Sequence, residues 1–166
     1  MKQAKVLIAR HNGEYHVKVE GRANFECSPP LRNFANCIDE HECKGIFIDL
    51  SGCIGMDSTF MGILALIGLK TRKFGSVTNI VNASESNQKL LNGLGLQKIF
   101  NYMTLSEIEA QQRWVDAGSS SDKKEKAETV LEAHETLMEV DNKNVQKFKN
   151  VVDFVKKDLG KDEKKD

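Results

Sequence analysis

An aspartate and a serine stand side by side at Asp57 and Ser58, directly before a long apolar run. Both residue types cap helix N-termini, because their side-chain oxygens accept hydrogen bonds from the first unpaired backbone N–H groups. Those N–H groups and the positive end of the helix dipole also attract anions. A phosphate attached to Ser58 would be accommodated locally, so the pair predicts a modifiable hydroxyl at the start of a helix.

The elements next to this pair are predicted from the apolar pattern. Residues 46–50 are nearly continuously apolar, which is typical of a strand covered on both faces. A short glycine-containing loop over 51–55 should follow, and then a helix from 58 to about 73 that is apolar nearly all round. One face of this helix must pack on the sheet, and the remainder is either covered by another element or exposed for a partner.

The flanking segments alternate between strand and helix. Segments 5–9 and 15–20 predict a hairpin, because Asn12-Gly13 favours the positive φ angles of a tight turn. The alternation after residue 28 indicates an α/β fold with mainly parallel later pairings. We therefore predict a mixed sheet of four or five strands with helices, contained in residues 1–104.

This arrangement resembles the STAS domain of bacterial anti-sigma-factor antagonists. In that family, a strand ending in an Asp-Leu-Ser-like turn leads into Asp-Ser-Ser-Gly at the start of a helix. Asp49-Leu50-Ser51 and Asp57-Ser58 match this pattern, and the resemblance covers roughly residues 5–103. Thr59-Phe60 stands where the family usually has Ser-Gly. The resemblance implies that Ser58 is the regulatory phosphorylation site, with Thr59 as the alternative hydroxyl.

The resemblance also implies a non-enzymatic role in signal transduction. Such a protein binds a serine-kinase anti-sigma factor and so frees the sigma factor, and a metal-dependent serine phosphatase resets it after phosphorylation. Asp57, Phe60, Met61 and Leu64 would form the partner-facing surface. No cofactor is implied, and the expected location is the cytoplasm.

Composition argues against several other classes. The formal net charge is zero and no basic cluster is present, so nucleic-acid binding is not expected. No apolar run reaches membrane-spanning length, and the first residues lack a signal-peptide core. Two other functions stay open: a STAS-like accessory subunit of a transporter ATPase, and a small enzyme built on Asp49, Asp57 and Ser58.

The four cysteines show no Cys-x-x-Cys pairing and are expected to be free thiols in a reducing cytosol. A metal site from Cys37, His41 and Cys43 is the alternative, with Cys37 and His41 on one helix face. That site lacks a fourth ligand and a second ligand pair, so no metal is predicted.

The pattern changes beyond residue 104. We predict a helix over 105–117, a Gly/Ser-rich linker over 118–126, a helical hairpin over 127–160 that stops at Gly160, and a disordered tail over 161–166. The second hairpin helix carries an a/d-type apolar stripe: Val145, Phe148, Val152, Val155 and Leu159. This stripe must dock on the core or on a second copy, so a homodimer through these helices is one expected arrangement. His134 should lie on a helix face as a packing or rim residue.

Overall fold

The computed structural model describes residues 4–105 and 113–163, with side chains up to residue 160. Its strands are β1 (Lys5–His11), β2 (Glu14–Ala23), β3 (Gly45–Met56), β4 (Thr78–Val81), β5 (Phe100–Met103) and β6 (Val115–Asp116). Its helices are α1 (Ser28–Cys37), α2 (Ser58–Lys73), α3 (Glu85–Gly93), α4 (Lys123–Val140) and α5 (Lys143–Glu163), with a 3-10 turn at Leu96–Lys98. We call residues 4–105 together with β6 the sheet domain, and α4 with α5 the hairpin.

The described strands form one mixed sheet in the order β5-β4-β3-β2-β1-β6. β1 and β2 are antiparallel, and the turn between them has positive φ angles at Asn12 (51°) and Gly13 (83°), as a tight hairpin requires. β2, β3, β4 and β5 are parallel neighbours, because helical crossovers connect them. The predicted α/β fold with a helical C-terminal extension is confirmed.

The predicted loop after residue 50 is wrong. β3 continues to Met56 and stays paired with the second half of β2. The register shifts twice, because β3 has one residue more than β2 between the Lys18 and Glu20 pairings and again between those of Gly21 and Arg22. Such bulges keep a strand paired while they bend it. The site therefore lies at the end of a long bulged strand.

The short strand β6 adds an edge that the sequence analysis did not predict. Val115 pairs with Ile8 and Asp116 with Leu7 of β1, and the Ala117 N–H donates to the Val6 carbonyl at 2.8 Å. The helix predicted over 105–117 is wrong for residues 113–117, and its middle, residues 106–112, lies outside the described residues. Because β6 belongs to the same sheet, the sheet domain does not end at residue 104.

Helix α2 lies at the centre of the core. It begins at Ser58 and ends at Lys73, as its pattern predicts, and basic residues in its last turn suit the negative end of the helix dipole. Six apolar residues of the sheet core are at most 1% exposed: Val17, Val19, Ile46, Ile48, Leu50 and Ile80. Phe60, Ile63 and Ile67 of α2 are each 0% exposed.

The hairpin differs from its predicted bounds at both ends. Asp122 caps α4 by accepting from the Glu125 N–H at 2.9 Å, so α4 begins at Lys123, inside the predicted linker. α5 runs through Gly160 to Glu163, so Gly160 does not stop it and residues 161–163 are helical. Residues 164–166 of the predicted tail lie outside the described residues.

The end of α1 decides the alternative metal site, and the character of the helices bears on membrane crossing. α1 ends at Cys37 and Ile38 is extended, so Cys37 and His41 do not share a helix face as the alternative metal site requires. Within residues 4–105 and 113–163, no three His, Cys, Asp or Glu side chains are grouped to hold a metal ion. None of the described helices combines the length and apolar character needed to cross a bilayer.

Candidate functional site

Asp57 fixes the junction between β3 and α2. Its backbone is extended, and its Oδ1 accepts from the Phe60 N–H at 2.8 Å, so Asp57 is the N-cap. Its Oδ2 accepts from the Phe25 N–H, also at 2.8 Å, and its own N–H donates to the Ala23 carbonyl at 3.0 Å. One side chain therefore ties the start of α2 to the chain that follows β2. Ser58 is the first residue inside the helix rather than its cap.

The surroundings of Asp57 disfavour charge. Burial raises the pKa of its carboxyl above the ordinary value of 3.8, because desolvation destabilises the ionised form. The N–H groups of Phe60 and Phe25 oppose this shift without cancelling it. A second negative group at Ser58 would join a carboxylate that is already poorly hydrated.

Ser58 is hydrogen-bonded to a histidine from the hairpin. Its Oγ lies 2.8 Å from Nε2 of His134, and Nδ1 of the same ring lies 2.7 Å from the Val130 carbonyl oxygen. A carbonyl oxygen can only accept, so Nδ1 carries a proton, and in the neutral ring Nε2 accepts from the Ser58 hydroxyl. Phe148 of α5 meets the His134 ring edge-on, with 4.8 Å between ring centroids. Residues from α2, α4 and α5 therefore meet at the Ser58 hydroxyl.

Helix α4 lies directly on the first turns of α2. A Cβ added at Gly62 would stand 2.5 Å from the carbonyl oxygen of Ala133 and 2.6 Å from its Cβ. Only glycine permits this approach, which explains a residue that otherwise costs helix stability. Two ion pairs support the crossing. In the middle of α4, Arg32 Nη2 lies 3.1 Å from Glu132 Oε2, and at its C-terminal end Lys98 Nζ lies 3.0 Å from Asp141 Oδ2.

The residues predicted to face a partner do not form an exposed apolar patch. Phe60 and Leu64 are 0% exposed and Met61 is 5% exposed. The prediction of a partner-facing surface on these three side chains is wrong for this conformation, because the sheet covers one side of α2 and α4 covers another. Thr59, the alternative hydroxyl, is also buried, whereas Ser58 and Asp57 are half-buried.

The Ser58–His134 pair has two of the three components of a nucleophilic triad, a hydroxyl and an oriented base. Acyl transfer also needs space for a substrate beside the hydroxyl. Two cavities among the described residues do not include Ser58 in their lining, one of about 440 Å³ beside Arg32 and one of about 230 Å³ beside Phe100. Asp49, the other carboxylate considered for an enzyme, accepts from the Ser51 N–H within its own strand.

His134 is the site residue whose role the sequence analysis did not identify. A signal was available, because Val130, His134 and Leu137 share one apolar face of α4 and a histidine there needs a polar partner. His134 is 4% exposed. The sequence alone could not show that its partner is Ser58, which lies 76 residues earlier.

Comparison with solved structures concerns the fold. The anti-sigma factor antagonist SpoIIAA in its unphosphorylated form has a TM-score of 0.52 and 14% identity, over 61% of this chain and 89% of that chain. An anti-sigma factor antagonist from Mycobacterium paratuberculosis has a TM-score of 0.52 and 23% identity, over 60% and 85% of the two chains. A candidate antagonist from Thermotoga maritima has a TM-score of 0.52 and 19% identity, over 60% and 86%. The chain has the STAS fold.

Neither a protein-family model nor a curated protein sequence matches this chain. The likeness is one of fold, and it covers a share of the chain about as large as residues 4–105. These matches include between 85% and 89% of each neighbour's own length. The remaining part of this chain is not matched in those neighbours.

Proposed function

We propose that the protein is an anti-sigma factor antagonist, a non-enzymatic interaction protein of the bacterial cytoplasm that is switched by phosphorylation of Ser58. The observation that carries the proposal is the position of Ser58. It stands directly after a strand and an aspartate N-cap, as the first residue of α2, in a fold shared with anti-sigma factor antagonists. Buried Thr59 is the less accessible hydroxyl.

The proposed modification is a simple phosphoryl transfer. A serine-kinase anti-sigma factor transfers the terminal phosphoryl group of ATP, which forms a bond from phosphorus to Ser58 Oγ, breaks the bond to ADP and releases the hydroxyl proton. The product carries a charge of about −1.5 to −2. The positive end of the α2 dipole stabilises that charge within the STAS-like domain.

The proposed switch follows from where this charge is placed. The unmodified protein binds the kinase and so releases the sigma factor that the kinase would otherwise hold. A phosphate on Ser58 brings a strongly hydrated group to the docking surface, beside the carboxyl of Asp57. The affinity falls, and a metal-dependent serine phosphatase restores the unmodified state.

The docking surface is proposed around the start of α2. Asp57 lies within it, and two exposed apolar side chains flank it: Phe25 (41% exposed), whose N–H bonds Asp57, and Ile54 (69% exposed), near the end of β3. Phe60, Met61 and Leu64 would support this surface from the core. α4 reaches the same region, since Lys126 Nζ lies 5.6 Å from the centre of the Phe25 ring.

The experiment is capture of native partners, followed by a labelling assay. We expect pull-down and mass spectrometry to return a serine kinase, and that kinase with ATP to label Ser58 stoichiometrically. Ser58→Ala should abolish labelling, whereas the matched Ser86→Ala, an exposed serine in the first turn of α3, should not. Labelling that is lost only in Thr59→Ala would move the role to Thr59. Recovery of a transporter ATPase with no kinase would contradict the proposal.

A further inference from the structure

We infer that the hairpin is a displaceable cap, and that its docking on α2 and phosphorylation of Ser58 exclude one another. This inference rests on the proposed function, because it concerns the regulation of the same serine. Its basis is the contact between Ser58 Oγ and His134 Nε2 at 2.8 Å. A direct hydrogen-bond distance leaves no space for a phosphorus atom and three oxygens between the two side chains.

The hydrogen-bonding roles at the Ser58–His134 contact also disfavour a phosphate in this place. The Ser58 hydroxyl donates to His134, and a phosphoester oxygen has no proton to donate. In the neutral ring that is bonded to Val130, Nε2 is an acceptor and would face the phosphate oxygens, which are acceptors too. Phosphorylation therefore removes the hydrogen bond from the Ser58 hydroxyl and places a bulkier, charged group at the contact with His134.

We expect the two helices of the hairpin to undock from α2 together. α5 packs on α4, with Phe148 against His134, so undocking of α4 takes the second helix with it. A linker with exposed Gly118, Ser119 and Ser121 joins α4 to β6. Gly/Ser-rich segments behave as flexible connections. Most members of the buried core cluster belong to the sheet domain, and Ala133 and Leu137 are its fully buried members from the hairpin.

The exclusion works in both directions. If phosphate on Ser58 weakens docking of the hairpin by some factor, docking of the hairpin must disfavour the phosphorylated state by the same factor. The docked hairpin also covers the hydroxyl that a kinase must reach. The expected result is an antagonist whose modification is slow until the cap opens, and whose cap stays open after modification.

Gly62→Ala tests this coupling without weakening the STAS-like domain. The added Cβ would meet Ala133 at 2.5–2.6 Å and force α4 away, while alanine is a better helix former than glycine within α2. Gly93→Ala is the matched control, because a Cβ there has no atom within 4 Å. By hydrogen exchange of the full chain, we expect amides of α4 and α5 to exchange at least tenfold faster in Gly62→Ala only, with α2 and β3 unchanged. Equal exchange of the hairpin in both variants would contradict the cap.

A second arm needs no kinase reaction to install the phosphate and keeps the two proposals apart. Full-length protein with phosphoserine incorporated at position 58 is compared with the unmodified chain by hydrogen exchange of α4 and by affinity for the kinase. Loss of protection in α4 supports the cap, whatever the affinities are. Unchanged protection overturns the cap, even where phosphorylation weakens kinase binding and so supports the proposed function. Released α4 with unchanged kinase affinity overturns the proposed function and leaves the cap in place.

Discussion

The sheet domain and the hairpin differ in how completely they bury their apolar residues. Large side chains of the sheet domain, such as Phe60, Ile48 and Leu91, are 0% exposed. In the described part of the hairpin, Leu137 and Ala133 reach that level, whereas Phe154 is 72% exposed. Elements with little buried apolar area open at lower free energy than the core of a domain. The comparison teaches that burial is deepest in the region that defines the fold, whereas the less buried hairpin supplies the histidine that contacts Ser58.

Truncating one leucine in each region should give the largest effects. Leu64 in α2 and Leu137 in α4 are both 0% exposed. Leu64→Ala should lower the free energy of unfolding of the sheet domain by about 2–5 kcal/mol, because it leaves a cavity in the core. Leu137→Ala should weaken docking of the hairpin and leave unfolding of the sheet domain nearly unchanged.

Native-state hydrogen exchange in increasing urea resolves these regions separately. An equal loss of protection across the sheet domain in both variants would show that the sheet domain and the hairpin unfold as a single cooperative unit. The distinction between the two regions would then be wrong.

A smaller effect is expected from the contact that joins the two regions. Ser58→Ala leaves Nε2 of the buried His134 without a donor, which should favour opening of the hairpin by about 1–3 kcal/mol. A double-mutant cycle with His134→Ala should give a coupling energy of about 0.5–1.5 kcal/mol. Ser86→Ala, in the exposed first turn of α3, is the control. Additive effects of the two substitutions would mean that the 2.8 Å contact contributes nothing to docking.

The smallest effects should come from pH, with opposite signs in the two regions. Burial holds the pKa of Asp57 above 3.8, so its contribution to stability is present below 3.8 and is lost as pH rises through the raised pKa. The Lys143 N–H, and then Lys98, hold the pKa of Asp141 below 3.8, so its contribution is present above 3.8 and is lost as pH falls.

Urea unfolding at a series of pH values between about 3 and 6 measures these contributions. Asp57→Asn should remove a loss of stability above pH 3.8, and Asp141→Asn should remove a loss below it. If the free energy of unfolding depends on pH in both variants as it does in wild type, these two carboxyl groups do not make the expected contributions.

The sequence predicted what local patterns determine. The Asn12-Gly13 turn, the bounds of α2 and the presence of two C-terminal helices follow from turn chemistry, capping and periodicity. β6 was missed because two residues carry no periodicity, and it exists only because β1 offers an unpaired edge. The extension of β3 was missed because its bulges depend on pairing with β2.

The site was predicted only in part for the same reason. The Asp57-Ser58 helix start is local, and the structure has it. Which faces of an apolar helix are covered is not local, so Phe60, Met61 and Leu64 were predicted to be exposed although they are buried. His134 reaches Ser58 only because a glycine at position 62 lets α4 approach α2.

The central claim is that charge on Ser58 switches partner binding. Its most direct test is calorimetric affinity for the serine-kinase partner, measured with the unmodified chain and with phosphoserine at position 58. We predict at least tenfold weaker binding of the phosphorylated chain, about 1.4 kcal/mol. Ser58→Ala should bind like the unmodified chain, and circular dichroism of the sheet domain should be unchanged in all three proteins. Equal affinities of the unmodified and the phosphorylated protein would contradict the account.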